Sequence, residues 1–364
     1  VEPLVRELRG RVGGEAERFV HLGATSQDVM DTAAMLVTRR ALDLVLGDLD
    51  RVARACGELA EAHRSTPMAG RTVLQHAVPT TFGLKAAGWL VETTDARRTL
   101  RRIRSDGLAA QLGGAAGTLS ALGSDGIRLL ELFAAEVDLP CPVLPWHTNR
   151  VRVAELGGAL AVVAGAASRV ALDIVLLAQT EVAEVAEPGG GSSTMPHKRN
   201  PSGATLARAS ARLAGGHASV LLGSLEQEHE RAAGAWQAEW EALSGALAYT
   251  GGALDALAGA LEGLEVDAAR MRSNLDATGG LVAAERVALL LAERLGRQAA
   301  HDAVGEAARR TATGLSFREA LLTDPRLGLS EVEVDAALDP TTYLGSAEAL
   351  VDRALLHARE GTSG

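Results

Sequence analysis

Apolar residues recur at helical spacing from Val29 to His63. Met35, Leu42, Val45, Leu49 and Val52 share one face, Thr38 is the polar gap in that stripe, and arginines and aspartates fill the positions between. Run as one helix, the stretch would be about 50 Å long at 1.5 Å per residue. Residues 151–187 and the run from Pro201 to about His229 carry the same pattern. The eleven prolines leave 80–139, 146–187 and 202–324 free, and turn clusters of the kind strands require are scarce, which predicts an all-α chain of long helices. Leu156 to Ser168 holds no charge for 13 residues before Arg169 and Asp173. That is short of the roughly 20 residues a membrane span needs, so it predicts a core helix buried on all sides, with no membrane contact. From about Val266 the helices shorten, loop residues return at Asp276-Ala277-Thr278-Gly279-Gly280, and Pro325 and Pro340 interrupt, marking a smaller C-terminal helical domain. No repeat of fixed period is present, and no low-complexity segment beyond Gly189–Gly191. Antiparallel helices of this length form a bundle, and members apolar nearly all round are expected to bury against other subunits, predicting a homo-oligomer.

Composition refines this picture. Hydrophobic residues make up 47% of the 364 positions and aromatic ones only 3%, so the core is built from Ala, Leu and Val, which suit closely packed helices. A formal charge of −10 argues against a nucleic-acid partner; the densest basic patch, Arg101-Arg102-Ile103-Arg104, reads as the solvated face of a helix. Cys56 and Cys141 cannot frame a disulfide-held protein of this size, and no basic-then-apolar leader is present, so the cytoplasm is the expected compartment. Lysine occurs only at Lys85 and Lys198, both inside motif stretches.

Three stretches carry candidate chemistry. The first is Gly189-Gly190-Gly191-Ser192-Ser193-Thr194-Met195-Pro196-His197-Lys198-Arg199-Asn200-Pro201. Its glycines permit unusual backbone angles and lead into hydroxyls, an imidazole, an ammonium, a guanidinium and an amide. Asn200 as N-cap and Pro201 at the first helical position predict a helix start beside Lys198 and Arg199, a place for a carboxylate. A plain Gly/Ser linker explains the first half of this string but not the second. The second stretch, His21-Leu22-Gly23-Ala24-Thr25-Ser26-Gln27-Asp28, would by itself be a turn and a helix cap. The third runs from Gly70-Arg71-Thr72-Val73-Leu74-Gln75-His76 to Lys85. Gly113-Gly114-Ala115-Ala116-Gly117 lacks the lysine of a phosphate loop and reads as close packing.

Together these stretches resemble the fumarase/aspartase superfamily. The first is similar to its Gly-Ser-Ser-x-Met-Pro-x-Lys-x-Asn-Pro signature, the second to His-x-Gly-x-Thr-Ser-x-Asp and the third to Gly-Arg-Thr-His-x-Gln. The resemblance implies an all-α, fumarase/aspartase-like long-helix bundle with a smaller C-terminal helical domain, its central bundle shared in a homotetramer whose active sites draw on several subunits. It implies no metal or organic cofactor. Residues 1–28 would be the remnant of an N-terminal domain, 29–265 the central bundle with the signature loop at 188–201, and 266–364 the C-terminal domain. Family members carry a further helical segment before the position of Val1, so a fragment or a misassigned start is expected.

By position, Ser192 takes the role of the proton-transferring base, with Ser193 beside it as the open alternative. Substrate binding falls to His21, Thr25, Ser26, Thr72, Gln75, Lys198 and Asn200, with Arg231 for a second carboxylate. The chain departs from the superfamily at Val73, where many members carry a general-acid histidine; His76, three residues on, would reach the same site if the turn is helix-like. That departure, with Pro145-Trp146-His147-Thr148, Gln227-Glu228-His229-Glu230-Arg231, Trp236 to Trp240 and Asn274 to Gly280, is similar to the bacterial 3-carboxy-cis,cis-muconate cycloisomerase family. The resemblance implies lactonisation of a small tricarboxylate in aromatic catabolism. Another β-elimination of the superfamily, such as an adenylosuccinate lyase-like one, would require a phosphate site not identified in the sequence; a non-catalytic helical scaffold would be indifferent to loss of Ser192.

Overall fold

The computed structural model describes residues 1–191 and 194–360. Its helices are α1 (Glu2–Val12), α2 (Ser26–Ala62), α3 (Phe82–Arg102), α4 (Gly126–Glu136), α5 (Val151–Leu177), α6 (Ser202–Gly223), α7 (Ala235–Glu262), α8 (Ala268–Asp276), α9 (Ala284–Leu295), α10 (Arg297–Arg310), α11 (Phe317–Leu322), α12 (Glu331–Leu338) and α13 (Ala347–Glu360). Short strands β1 (Pro67–Thr72) and β2 (Gln75–Thr81) form an antiparallel hairpin, and β3 (Val185–Ala186) pairs antiparallel with β4 (Glu265–Val266). The chain divides into two compact units. One comprises Val1–Arg51, Thr93–Leu172 and Gly203–Gly259; the other comprises Val52–Glu92, Asp173–Ser202 and the residues from Ala260 onward.

The first unit is built on long helices. The predicted stripe of α2 is buried at Met35, Leu42, Val45 and Leu49, and Thr38 is buried within it. Small residues let the helices approach: Ala164 of α5, Ala211 and Ala214 of α6 and Ala253 of α7 form one cluster. α5 is long and apolar enough to cross a membrane by length and composition, but half of its most apolar window is buried inside the structure. The expectation of a helix buried on all sides is corrected, because Val162 is 57% exposed and Leu172 also faces out. Leu206, Leu213 and Val220 of α6 are exposed at seven-residue spacing, and so are Val37 and Leu44 of α2, which places each set along one face of its helix.

Two helix ends and the hairpin of the second unit depart from prediction. α5 stops at Leu177 rather than continuing to 187, and α6 spans Ser202–Gly223, starting one residue late and ending short of His229. The third motif is the hairpin, not a helical turn. β-Branched Thr72, Val78, Thr80 and Thr81 favour the strands, and a bulge sits between Ala69 and Arg71. Gly70 stands in that bulge, where a Cβ would lie 2.6 Å from the Val78 carbonyl oxygen. α8 packs on β1 through Ala69 and Leu275, with Val282 beside them. The C-terminal helices enclose a core that includes Val287, Leu291, Phe317, Leu321 and Val334, each buried side chain contributing roughly 2 kcal/mol. Ser316 and Ser330 open α11 and α12 with capping boxes completed by Glu319 and Glu333.

Candidate active site

In the first unit the stretch from His21 to Asp28 is a tight loop running into α2. His21 and Gly23 have φ of 63° and 69°, and Ser26 is the first residue of α2. Asp28 holds this loop. Its Oδ2 accepts from the Thr25 N–H at 2.9 Å and the Gly114 N–H at 3.0 Å, and its Oδ1 accepts from the Gly113 N–H at 3.0 Å. His147 Nε2 lies 2.6 Å from the same Oδ1. The two loops meet closely: a Cβ on Gly114 would stand 2.7 Å from the Gly23 carbonyl oxygen, and one on Gly113 would stand 2.8 Å from the His147 ring.

Arg231 joins the same place. Its Nη1 donates to Thr25 Oγ1 at 2.8 Å, and its Nη2 donates to the carbonyls of Gly114 and Ala115 at 3.3 and 3.1 Å. Behind these groups lies a buried ionic cluster. Arg150 donates to both oxygens of Asp31 and to Glu239; Asp31 also accepts from Trp236, Gln27 and Gln111, and Glu239 from Gln227. Burial opposes the charge of Arg150, but hydrogen bonding to Glu239 and the Asp31 charge hold it above the ordinary arginine value. Burial pushes the Glu239 carboxyl up, against the pull of Arg150. Gln27 extends the brace by donating to the His147 carbonyl at 2.8 Å.

In the second unit the signature loop is tied back on itself. The Asn200 N–H donates to the Gly190 carbonyl at 2.8 Å, and Gly191 pairs with Arg199 in an isolated antiparallel bridge. Asn200 does not stand at the helix start as predicted: its carbonyl accepts from Ser202 N–H at 2.9 Å, and α6 begins at Ser202. Nor does Arg199 offer its charge to an incoming carboxylate, because Glu265 takes its guanidinium at 2.7 and 2.8 Å and the Glu187 carbonyl takes it at 3.1 Å. Lys198, His197 and Asn200 line a cavity of about 940 Å³ together with Gln179, Thr180 and Glu187. Ser192 and Ser193 lie outside the described residues.

The hairpin presents the third motif. Thr72 pairs with Gln75 and Arg71 with His76, so Val73 and Leu74 alone make the turn, both at positive φ (50° and 63°). Val73 is 95% exposed at the tip. The idea that His76 replaces a side chain at position 73 across a helical turn is therefore corrected: strand alternation sets His76 one residue pair back from the tip. Arg71 grips Glu184 through two bonds of 2.9 and 2.7 Å, and Asn274 Nδ2 donates to the same carboxylate at 2.8 Å. Burial, with the Arg71 charge adding to it, lowers the pKa of His76; Glu184 works in the opposite sense.

The structure thus gathers Thr25, Ser26 and Arg231 in one unit, and Lys198 with Asn200, and Thr72 with Gln75 and His76, in the other. Sequence reasoning assigned no role to Asp28, His147, Glu184 or Asn274. One signal was readable: Asp28 and Asp31 fall in line with Met35 and Thr38 on the buried face of α2, where unpaired carboxylates are too costly to stand.

The chain matches the family described as lyase over residues 3–216 and that described as adenylosuccinate lyase C-terminus over residues 280–354. It is 48% identical to 3-carboxy-cis,cis-muconate cycloisomerase of Bradyrhizobium diazoefficiens, over 97% of this chain and 80% of that protein. It is also 48% identical to nitrosuccinate lyase of Streptomyces davaonensis, over 96% of this chain and 78% of that one. Among solved structures, the 3-carboxy-cis,cis-muconate lactonizing enzyme from Pseudomonas putida superposes with a TM-score of 0.93 at 46% identity, over 99% of this chain and 82% of that one.

Proposed function

Because the chain belongs to the lyase family, an enzyme family built on the fumarase/aspartase fold, we propose that it is a cycloisomerase that closes 3-carboxy-cis,cis-muconate to a carboxymuconolactone. The observation that carries this reading is near-full-length similarity to proteins of that name, combined with a hairpin whose tip is Val73. One substrate carboxylate oxygen adds to a conjugated double bond and forms the ring C–O bond. The displaced electrons collect on the carbon beside another carboxylate as an aci-anion, and a hydroxyl proton completes the reaction there. Run backwards this is a β-elimination in which the departing group is already a carboxylate. Such a leaving group needs no acid, and a valine at position 73 suits it.

The costly species is the aci-anion, which fixed donors and cations must stabilise. Ser192 supplies the proton and regains it from water, with Ser193 as the alternative. Thr25 and Ser26 at the start of α2, with His21 in the loop before them, bind a carboxylate, as do Lys198 and Asn200 on the signature loop; Arg231 is held against the Thr25 hydroxyl, Thr72 and Gln75 belong to the same substrate-binding set, and His76 is the second candidate for proton transfer. The domain limits proposed with this reading are 1–28, 29–265 and 266–364, a division by sequence position and not by the two compact units. The protein works as a homotetramer in the cytoplasm. The exposed seven-residue rows on α2 and α6 support assembly through helix faces, and a chain with only two cysteines, too few for a disulfide framework, suits a reducing compartment.

The test follows the ultraviolet absorbance of 3-carboxy-cis,cis-muconate, since lactone formation breaks the diene. The wild-type protein is expected to bleach it and Ser192→Ala is not. Nitrosuccinate is the control: turnover of it alone would replace the substrate while leaving the elimination chemistry in place.

A further inference from the structure

Thr25 has three polar groups, and two are already committed. Its N–H donates to Asp28 Oδ2 at 2.9 Å, and its carbonyl accepts the Asp28 N–H at 3.1 Å. The backbone of this residue therefore has no donor left for a ligand. Its hydroxyl oxygen sits 2.8 Å from Arg231 Nη1. A guanidinium carries donors and no acceptor, so the direction of this bond is fixed: Oγ1 accepts, and its proton must point elsewhere. Among the described residues no group takes that proton. Ser26, next along, opens a helix of 37 residues, and its N–H and hydroxyl likewise have no partner among the described residues.

Arg231 is built to hold that position. Its other terminal nitrogen is fixed by the carbonyls of Gly114 and Ala115, and that loop is itself fastened by the Gly113 and Gly114 N–H groups to Asp28. No carboxylate pairs with Arg231 among the described residues, so its charge is spent on neutral oxygens. A hydroxyl accepting from an unneutralised cation is a stronger donor than a free one.

We infer that Arg231 is a positioning residue that acts through Thr25, orienting and polarising the hydroxyl that donates to a substrate carboxylate at the start of α2. This rests on the carboxylate-binding role proposed above for Thr25 and Ser26. It differs from direct contact between Arg231 and substrate in what a double-mutant cycle reads. If the guanidinium works through the hydroxyl, its removal has little further effect once the hydroxyl is gone.

The experiment measures kcat and KM on 3-carboxy-cis,cis-muconate for wild type, Thr25→Val, Arg231→Ala, the double variant, and Arg231→Lys, with far-UV circular dichroism and oligomer size as checks on folding. Thr25→Val and Arg231→Ala are each expected to lower kcat/KM roughly 10–100-fold, the range for a hydrogen bond to a charged group. In the Thr25→Val background the arginine change should cost less than about threefold, and Arg231→Lys should recover part of the loss only where Thr25 is present. Losses that multiply in the double variant overturn the inference and make Arg231 a direct contact. If Arg231→Ala does not fold, Arg231→Lys against Thr25→Val gives the same cycle. A wild-type protein without turnover sinks the proposed reaction instead; the cycle is then read by thermal shift with propane-1,2,3-tricarboxylate. Failure of wild type to respond to that ligand, or an equal response by all variants, removes the inference as well.

Discussion

His147 Nε2 lies 2.6 Å from Asp28 Oδ1, and both side chains are buried. With the N–H groups of Thr25, Gly113 and Gly114, the imidazole completes a set of donors around one carboxylate, which is why an acid can stand on the inner face of α2. Asp28→Asn keeps the shape but turns one acceptor into a donor facing other donors. The variant is expected to lose about 2 kcal/mol of stability, the scale for leaving buried hydrogen-bonding groups unsatisfied, with a matching fall in thermal midpoint. An unchanged midpoint would show that the carboxylate does not hold the loop.

Gly190 separates the shape of the signature loop from its strain. A Cβ there would stand 2.0 Å from the Asn200 carbonyl oxygen, whereas at Gly189 nothing lies within 4 Å and only the positive φ of 79° is at stake. Gly190→Ala must push the Asn200 backbone aside. It is expected to lower kcat/KM by about 100-fold, the cost of an ångström-scale misplacement, with circular dichroism unchanged. Gly189→Ala should cost about 1 kcal/mol of local strain and far less activity. Equal activity of the two variants would mean that the Gly190–Asn200 closure does not matter to turnover.

What the sequence disclosed follows from the range over which each signal acts. The α2 stripe was legible because Met35, Leu42, Val45 and Leu49 repeat over many turns, and periodicity accumulates with length. The hairpin was not, because its strands are short, Pro79 and Gly70 interrupt them, and its turn residues Val73 and Leu74 are among the least expected at positive φ. The motifs named Thr25, Lys198 and Asn200 by position, but nothing local told that Arg199 is taken by Glu265, 66 residues away. The Asp31–Arg150–Glu239 cluster spans even longer separations, and each member alone reads as an ordinary polar position on a helix.

The hairpin tip carries strain that a better turn would release. Two-residue turns with both φ positive favour Asn-Gly, and a β-branched residue there is an outlier costing of order 1–3 kcal/mol. Replacing Val73 by Asn and Leu74 by Gly together should therefore raise stability by about 1–2 kcal/mol in a denaturant titration. If activity falls at the same time, the exposed apolar tip is retained for function rather than for folding. A loss of stability would show instead that the tip is packed against another surface in solution.

His76 gives the pH dependence. Burial and the Arg71 charge place its folded pKa below the ordinary value of 6.5, so between those two values the unfolded chain binds more protons than the folded one. Stability from this neutral imidazole is complete above about pH 6.5 and is lost as pH falls toward the folded value. An NMR titration of the His76 ring should show a midpoint below 6.5. Glu184→Gln removes a neighbouring charge that favours the imidazolium, so the midpoint should move further down. The same change frees Arg71 from its partner and is expected to cost about 3–5 kcal/mol as a broken buried pair, so the titration is best read well below the melting range. A midpoint that rises in Glu184→Gln would mean that the Arg71 guanidinium swings away from the imidazole once its carboxylate is gone.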